Sequence, residues 1–299
     1  MSGKLPVELF FEIFRAACTD DGTTGRALSL VSRYFHGISD EFKLQSVCVV
    51  GACQLVAFAE YLAAIPAPSR RVRHLFISII QEPKPTRSKC RRFKDLSDDF
   101  WEHEGHISAT LNKILQFISS TLETFHLVSN IPRTSILAPV PLPRLRRLTI
   151  YGPMHIYDHF TDAPALPVFP SLRNLDLNCF YEYPGRMLRD ISSQAPSLQN
   201  LSFAPTRPAC FLPQDLSRAL GQDRHHESQD IVPSSLGQIT VHVGPDDKKN
   251  LWIRASQRVM LDSLSKIMEA DKRVTVVGWK QLHTWQGARE RWLQDCDSR

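Results

Sequence analysis

A short apolar pattern recurs along this chain and constrains its fold more than any other feature. The pattern is apolar-x-x-apolar-x-apolar, and its copies are VRHLFI, LETFHL, LRRLTI, LRNLDL, LQNLSF and LGQITV, which begin at residues 72, 122, 145, 172, 198 and 236. The alternating end of each copy is typical of a short strand that turns its apolar residues toward one core. Six copies predict a series of similar strand-containing units.

The spacing of the copies favours a leucine-rich-repeat solenoid. Three successive spacings are 23, 27 and 26 residues, and leucine-rich repeats are about 20 to 29 residues long. We therefore expect an α/β fold in which an N-terminal three-helix unit precedes an irregular leucine-rich-repeat solenoid with a short-strand parallel sheet. Further strands are predicted at 46–50 and 273–277, and further helices at 53–65, 106–119, 184–194, 212–220, 251–270 and 283–296. The last of these helices is expected to cap the open end of the array.

The chain begins MSGKLPVELFFEIFRAAC, which predicts a helix from Pro6 to about Cys18. Its apolar residues extend over more of the helix surface than one core contact needs. Two explanations fit: the helix is enclosed in its own domain, or one side packs on a partner protein. After a polar loop at 19–25, the segment RALSLVSRYFHGISDEFKL predicts two more short helices.

Bulk properties place the chain among ordinary globular proteins. Its net charge of +5 is mild, and without clustering it does not favour a nucleic-acid partner. Seven cysteines without a C-x-x-C pair indicate free thiols in a reducing compartment. Glutamates at positions 8 and 12 interrupt the apolar N-terminus, so we expect no signal peptide, no membrane association, and a cytoplasmic or nuclear location. The stretch 81–105, in which six basic residues precede five acidic ones, is predicted to be a charged insertion loop.

Sequence motifs for chemistry are missing. The chain has no phosphate-binding G-x-x-x-x-G-K-[ST], no G-x-G-x-x-G and no G-x-S-x-G. Histidines beside acidic residues lie in loop-like segments and lack the H-E-x-x-H spacing of a metalloprotease helix. We therefore expect no enzyme activity, no catalytic residue, no cofactor and no metal site.

The N-terminal segment resembles an F-box. The resemblance is carried by Leu5-Pro6, Leu9, Ile13-Phe14, Leu28 and the run from Leu30 to Phe35, which contains V-S-R-x-F. It covers about residues 4–44 and is most similar to the F-box-like proteins of mushroom-forming fungi, in which irregular leucine-rich repeats follow the F-box. The implied domains are an F-box at 1–45 and a leucine-rich-repeat domain at 46–299.

This resemblance implies a substrate-recognition subunit of a Skp–cullin–F-box ubiquitin ligase. The F-box would bind a Skp-type adaptor and through it a cullin–RING ligase, whose other subunits carry the chemistry. The repeats would bind a protein substrate for ubiquitin-dependent degradation. By analogy the adaptor-binding residues are Leu5, Pro6, Leu9, Ile13, Val31 and Phe35. For Ile13, Val31 and Phe35 the alternative is a place in the core of the F-box.

The residues between the apolar positions of each strand would form the concave, substrate-binding face. They are His74, Phe76, Thr124, His126, Arg147, Thr149, Asn174, Asp176, Asn200, Ser202, Gln238 and Thr240. Their mixed polarity suits protein recognition, and they carry no basic stripe for nucleic acid; the alternative is that they are merely solvated strand positions. Another interpretation of the whole chain is a leucine-rich-repeat scaffold that binds proteins without a role in ubiquitylation.

Overall fold

The computed structural model describes residues 6–80, 100–129, 140–152, 167–180, 183, 187–222, 232–244, 250–278 and 285–297, with the side chains of 100–104 left aside. The chain divides into two compact units. The first contains residues 1–128 and 284–299, and the second contains residues 129–283. The predicted insertion at 81–105 lies largely outside the described residues.

The first unit begins with three short helices and continues with strands that alternate with helices. Its elements are α1 (Val7–Ala17), α2 (Thr23–Val31), α3 (Arg33–Ser39), β1 (Ser46–Val50), α4 (Ala52–Ala64), a 3-10 turn (Ala67–Ser69), β2 (His74–Ser78), α5 (Phe100–Ile118), β3 (Thr124–Val128) and α9 (Trp285–Asp297). The three N-terminal helices and the strand at 46–50 agree with the sequence prediction. Helix α5 begins at Phe100, inside the stretch predicted to be a loop.

The second unit contains five strands and three helices in its described part. Its elements are β4 (Arg147–Tyr151), β5 (Asn174–Asn178), α6 (Met187–Gln194), β6 (Asn200–Ala204), α7 (Leu212–Ala219), β7 (Gln238–His242), α8 (Leu251–Ala270) and β8 (Val274–Val277). Helices α6 and α7 are linked by the buried Asp215, which accepts hydrogen bonds from the Tyr183 hydroxyl (2.8 Å) and the Leu188 N–H (3.2 Å).

Within each unit the strands are parallel and pair in chain order, β1 to β3 in the first unit and β4 to β8 in the second. Equivalent positions of successive copies are paired: Arg147 with Asn174, Asn174 with Asn200, and Asn200 with Gln238. All 18 apolar positions of the six copies are at most 4% exposed. The prediction of a mixed α/β fold with a parallel sheet is therefore confirmed, and the repeat gives the correct register.

A turn precedes the strand in several copies and explains the prolines found there. The N–H of the first leucine donates to the carbonyl three residues back in Leu142–Leu145 (3.1 Å), Phe169–Leu172 (3.2 Å) and Ala195–Leu198 (3.1 Å). Proline is the second residue of each of these turns, where its fixed φ is favourable. The P-R-L and P-S-L segments are therefore turn signals that set the start of the strand.

The N-terminal segment and the C-terminal helix are grouped differently from the sequence prediction. The first 45 residues do not separate as a unit, because they cluster with the segment up to residue 128 and with α9. Helix α9 packs against β2 and β3, so the prediction that it caps the open end of the array is wrong. Its Trp292 and Cys296 are buried in the first unit, and this apolar contact determines its position.

Candidate functional site

The three N-terminal helices surround a small core of their own. Its buried residues are Phe14, Cys18, Ile38 and Phe42, and partly buried apolar residues pack around them: Val7, Phe10, Phe11, Leu28 and Phe35. The rings of Phe10 and Phe35 lie 5.3 Å apart, and those of Phe14 and Phe35 lie 5.6 Å apart. One side of α1 is therefore occupied by this core.

Local capping fixes the angles between the helices. Ser32 has an extended backbone between α2 and α3, and its side-chain oxygen accepts a hydrogen bond from the Phe35 N–H (3.1 Å). This serine caps α3 and accounts for its place in the V-S-R-x-F segment. At the start of α2, Gly22 adopts a φ of +91°, and a side chain there would meet the carbonyl oxygen of Ser46 at 2.9 Å.

The loop before α2 is held by Asp20. Its carboxylate accepts hydrogen bonds from the N–H groups of Gly22 (2.9 Å) and Thr24 (2.8 Å) and from the hydroxyls of Thr23 (2.7 Å) and Thr24 (2.6 Å). Burial alone would raise the pKa of Asp20, but these four hydrogen bonds outweigh burial and lower it. The polar loop at 19–25 is therefore an ordered connection that turns the chain from α1 into α2.

Large apolar side chains are exposed on all three helices. Leu9 and Ile13 of α1 are 47% and 52% exposed, Leu30 and Val31 of α2 are 85% and 63% exposed, and Tyr34 of α3 is 56% exposed. We call these five residues the N-terminal patch. A contiguous apolar surface marks an interaction site, and these five side chains, exposed on a segment of under forty residues, are the candidates for one.

The structure separates the predicted adaptor-binding residues into two groups. Pro6, Leu9, Ile13 and Val31 are exposed, as a binding role requires, and Leu5 lies outside the described residues. Phe35 differs, because its ring packs in the aromatic core of the three helices. This is the alternative named for Phe35 from the sequence, a place in the core of the three helices, and its contact with an adaptor stays a prediction.

Sequence reasoning missed two members of the N-terminal patch. Leu30 and Tyr34 are not among the predicted adaptor-binding residues, yet both are more than half exposed. The break at Ser32 explains this. Because α2 ends at Val31 and α3 starts afresh at Arg33, no single helical period runs through the segment, and its periodicity cannot show which residues face outward.

In the first unit, the predicted concave residues are core residues. His74, Phe76, Thr124 and His126 are all buried, and α9 packs against the strands that carry them. The ring of Phe76 lies 5.6 Å from that of Trp292, and the His126 Nε2 lies 3.2 Å from the Asp295 Oδ2. The prediction of an open binding face is therefore wrong for these four residues.

The predicted face of the second unit is more open, although Thr149 is also buried. Asn200 and Gln238 are exposed, and the remaining predicted residues, which are Arg147, Asn174, Asp176, Ser202 and Thr240, are half-buried. The side-chain amide of Asn200 donates to the Asn174 oxygen (2.8 Å). These strands present a row of polar side chains that a protein could contact. Some of these side chains form hydrogen bonds with one another.

Potential metal ligands and thiols are the groups to examine for chemistry in the described residues. Within the described ranges, no group of three histidine, cysteine or acidic side chains is placed to hold a metal ion. Burial raises the pKa of the Cys18, Cys48 and Cys179 thiols to about 11, so these thiols are protonated at neutral pH and poor nucleophiles. Every described helix is also too short or too polar to cross a lipid bilayer.

Comparisons with known proteins identify no relative. No family model matches the chain, and no match was found among the curated proteins or the solved structures. The N-terminal patch and the polar row on β5, β6 and β7 are therefore the candidate functional surfaces.

Proposed function

We propose that this protein is a substrate-recognition subunit of a Skp–cullin–F-box ubiquitin ligase. In this proposal, the N-terminal helices are an F-box that binds a Skp-type adaptor, and the strands from β1 onward belong to an irregular leucine-rich-repeat domain that binds a protein substrate. The observation that carries the proposal is the N-terminal patch, on the segment that resembles an F-box.

The physical case for a partner at the N-terminal patch is the cost of leaving it in water. Burying apolar surface contributes about 25 cal/mol per Å², and a fully buried leucine or isoleucine side chain contributes about 1.5–3 kcal/mol. The five patch residues are not needed for the local core, which the phenylalanines already fill. An apolar adaptor surface would remove them from water without disturbing that core.

The substrate would bind elsewhere than the strands covered by α9. The half-buried and exposed polar residues of β5, β6 and β7 suit a protein partner, since interfaces combine a few strong contacts with a polar surround. A receptor of this kind requires no catalytic group of its own, because the ligase chemistry belongs to other subunits. It would act in the cytoplasm or nucleus, where the ligase operates.

The test is direct binding to the adaptor. We would co-express the full chain with a Skp-type adaptor of a mushroom-forming fungus and measure binding by calorimetry. The variant Ile13→Asp should fold normally, because Ile13 is half exposed, and should lose binding. The matched control is Val259→Asp, which changes a similarly exposed apolar residue of α8 and should bind like the wild type.

Two results would contradict the proposal. One is a folded wild-type chain that does not bind the adaptor, which would leave the protein-binding scaffold as the better interpretation. The other is equal binding by wild type and Ile13→Asp, which would place the adaptor away from the N-terminal patch. A one-to-one complex lost only in Ile13→Asp would support it.

A further inference from the structure

We propose that the outer edge of β1 binds an extended, acidic segment of a partner protein, which adds as a further strand beside it. This site is separate from the N-terminal patch and does not depend on the proposed adaptor. It combines a strand edge that is open in its middle, a groove and two positive charges.

Strand β1 is the first strand of the sheet, and among the described strands it pairs only with β2. Hydrogen bonds from the His74 N–H to the Gln45 carbonyl (2.9 Å) and from the Gly51 N–H to the Ser78 carbonyl (2.7 Å) show which backbone groups face β2. Because these groups alternate along a parallel strand, those of Ser46, Cys48 and Val50 point the other way, toward the edge.

Gln54 and Gly22 occupy the two ends of this edge. The Val50 N–H donates to the side-chain oxygen of Gln54 (2.9 Å), which confirms that it points outward. The Ser46 carbonyl lies close to Gly22. Between them, no described group pairs with the outward N–H and carbonyl of Cys48. A further strand can therefore pair with β1 at its middle.

A groove of about 390 Å³ runs along this edge, within the range of about 300–1,000 Å³ that is usual for ligand sites. Apolar residues on its walls include Val47, Phe58 and Tyr61, and the last of these is 39% exposed. An extended segment that pairs with Cys48 would place alternate side chains against this apolar wall, as strand addition requires.

The positive charge of the groove favours an acidic segment as its ligand. Arg26 and Lys43 line it together with Asp21, but Asp21 is paired with Arg289. Arg26 is held beside the groove by its Nε–H, which donates to the Gly22 carbonyl (3.1 Å), and Lys43 has only a 3.9 Å contact with the exposed Asp40. Two positive charges therefore face the segment, and carboxylates on it would be favoured.

The experiment selects ligands with the full-length protein. A phage-displayed library of random eight-residue peptides is panned on the wild type, and enriched peptides are synthesised with a fluorophore and titrated by fluorescence anisotropy. We expect enriched peptides to alternate apolar and acidic residues. A copy whose backbone N–H groups are methylated on the pairing edge should bind about fivefold more weakly for each hydrogen bond lost, since each costs about 1 kcal/mol.

Two variants locate the site. Cys48→Pro removes one outward N–H, and proline is tolerated where the N–H of an edge strand faces solvent, so this variant should fold and bind about fivefold more weakly. Arg26→Glu changes an exposed side chain and should weaken the acidic peptides, and this variant keeps the test valid if Cys48→Pro does not fold. Hydrogen exchange should show that the peptide protects residues 46–50.

The inference is overturned if no peptide is enriched, if methylated and unmethylated peptides bind equally, or if Arg26→Glu has no effect. Association of two copies through β1, without peptide binding, would also overturn it, and light scattering detects that outcome. The variant Ile13→Asp should keep full peptide binding, so a failure of the adaptor proposal is distinguishable from a failure here.

Discussion

The ring of Trp292 in the last helix lies 5.6 Å from the ring of Phe76 in β2, at an interplanar angle of 43°, and both side chains are completely buried. Aromatic pairs at this distance contribute stability beyond the area they bury. Close by, Thr19 donates to the Asp297 carboxylate (2.8 Å) and Arg289 pairs with Asp21. The C-terminal helix is therefore part of the core of the first unit and is tied to its N-terminal helices.

Trp292→Ala is expected to destabilise the protein severely. Removing a buried tryptophan leaves a cavity and costs about 3–5 kcal/mol, which should appear as a lower midpoint in urea denaturation. Trp252→Ala is the matched control, because the Trp252 side chain is 84% exposed, and its change should stay within about 0.5 kcal/mol. Equal stability of both variants would contradict the placement of α9.

Leu30 and Phe35 give a second prediction, because the first side chain is exposed and the second packs in the aromatic core. Leu30→Ala should weaken adaptor binding with little change in the free energy of unfolding, because Leu30 is 85% exposed. Phe35→Ala should mainly lower the free energy of unfolding, since the Phe35 ring packs against Phe10 and Phe14. The expected loss is about 3 kcal/mol, or somewhat less because the ring is only partly buried. Calorimetry measures the binding, and urea denaturation measures the stability. A stable Phe35→Ala variant would contradict the packing of this ring.

The sheet was predictable from the sequence because each copy of the repeat contains its own signals. Pro196 sets a turn, Leu198 closes it, and Leu201 and Phe203 alternate into the core. Each of these signals acts over fewer than ten residues. Neighbouring copies then pair at equivalent positions, so the local pattern also determines the register.

The position of α9 and the composition of the N-terminal patch were not predictable in this way. The contact between Phe76 and Trp292 joins residues 216 positions apart in the chain, and no spacing in the sequence records it. Burial of His74 and His126 follows from that contact, although alternation alone would make them solvent-facing. At the N-terminal patch, the helix break at Ser32 interrupts the period from which outward positions are inferred.

Cysteine labelling provides a third prediction. The Cys210 side chain is exposed, whereas burial raises the pKa of Cys18, Cys48 and Cys179 to about 11. Since only the thiolate reacts, iodoacetamide at pH 7.5 should modify Cys210 first, and peptide mapping by mass spectrometry should find the other three unmodified until the protein is denatured. Early modification of Cys18 would show that the core of the three helices opens readily.

The loop before α2 makes stability depend on pH. Asp20 accepts four hydrogen bonds from Gly22, Thr23 and Thr24, and together they lower its pKa despite partial burial. Because the folded pKa lies below the unfolded value of about 3.9, the stabilisation by the carboxylate is fully present above that value and is lost as the pH falls through the folded pKa.

Asp20→Ala should therefore lower the free energy of unfolding by about 0.5–2 kcal/mol at pH 7, as the loss of a helix cap does. The difference in this free energy between the variant and the wild type should narrow below about pH 3.9. Urea denaturation at a series of pH values measures this difference. Asp262→Ala, at an exposed position of α8, is the control and should change the free energy of unfolding by less than about 0.5 kcal/mol throughout. A difference for Asp20→Ala that stays constant from pH 7 to pH 3 would show that the hydrogen bonds to the loop do not require the charged carboxylate.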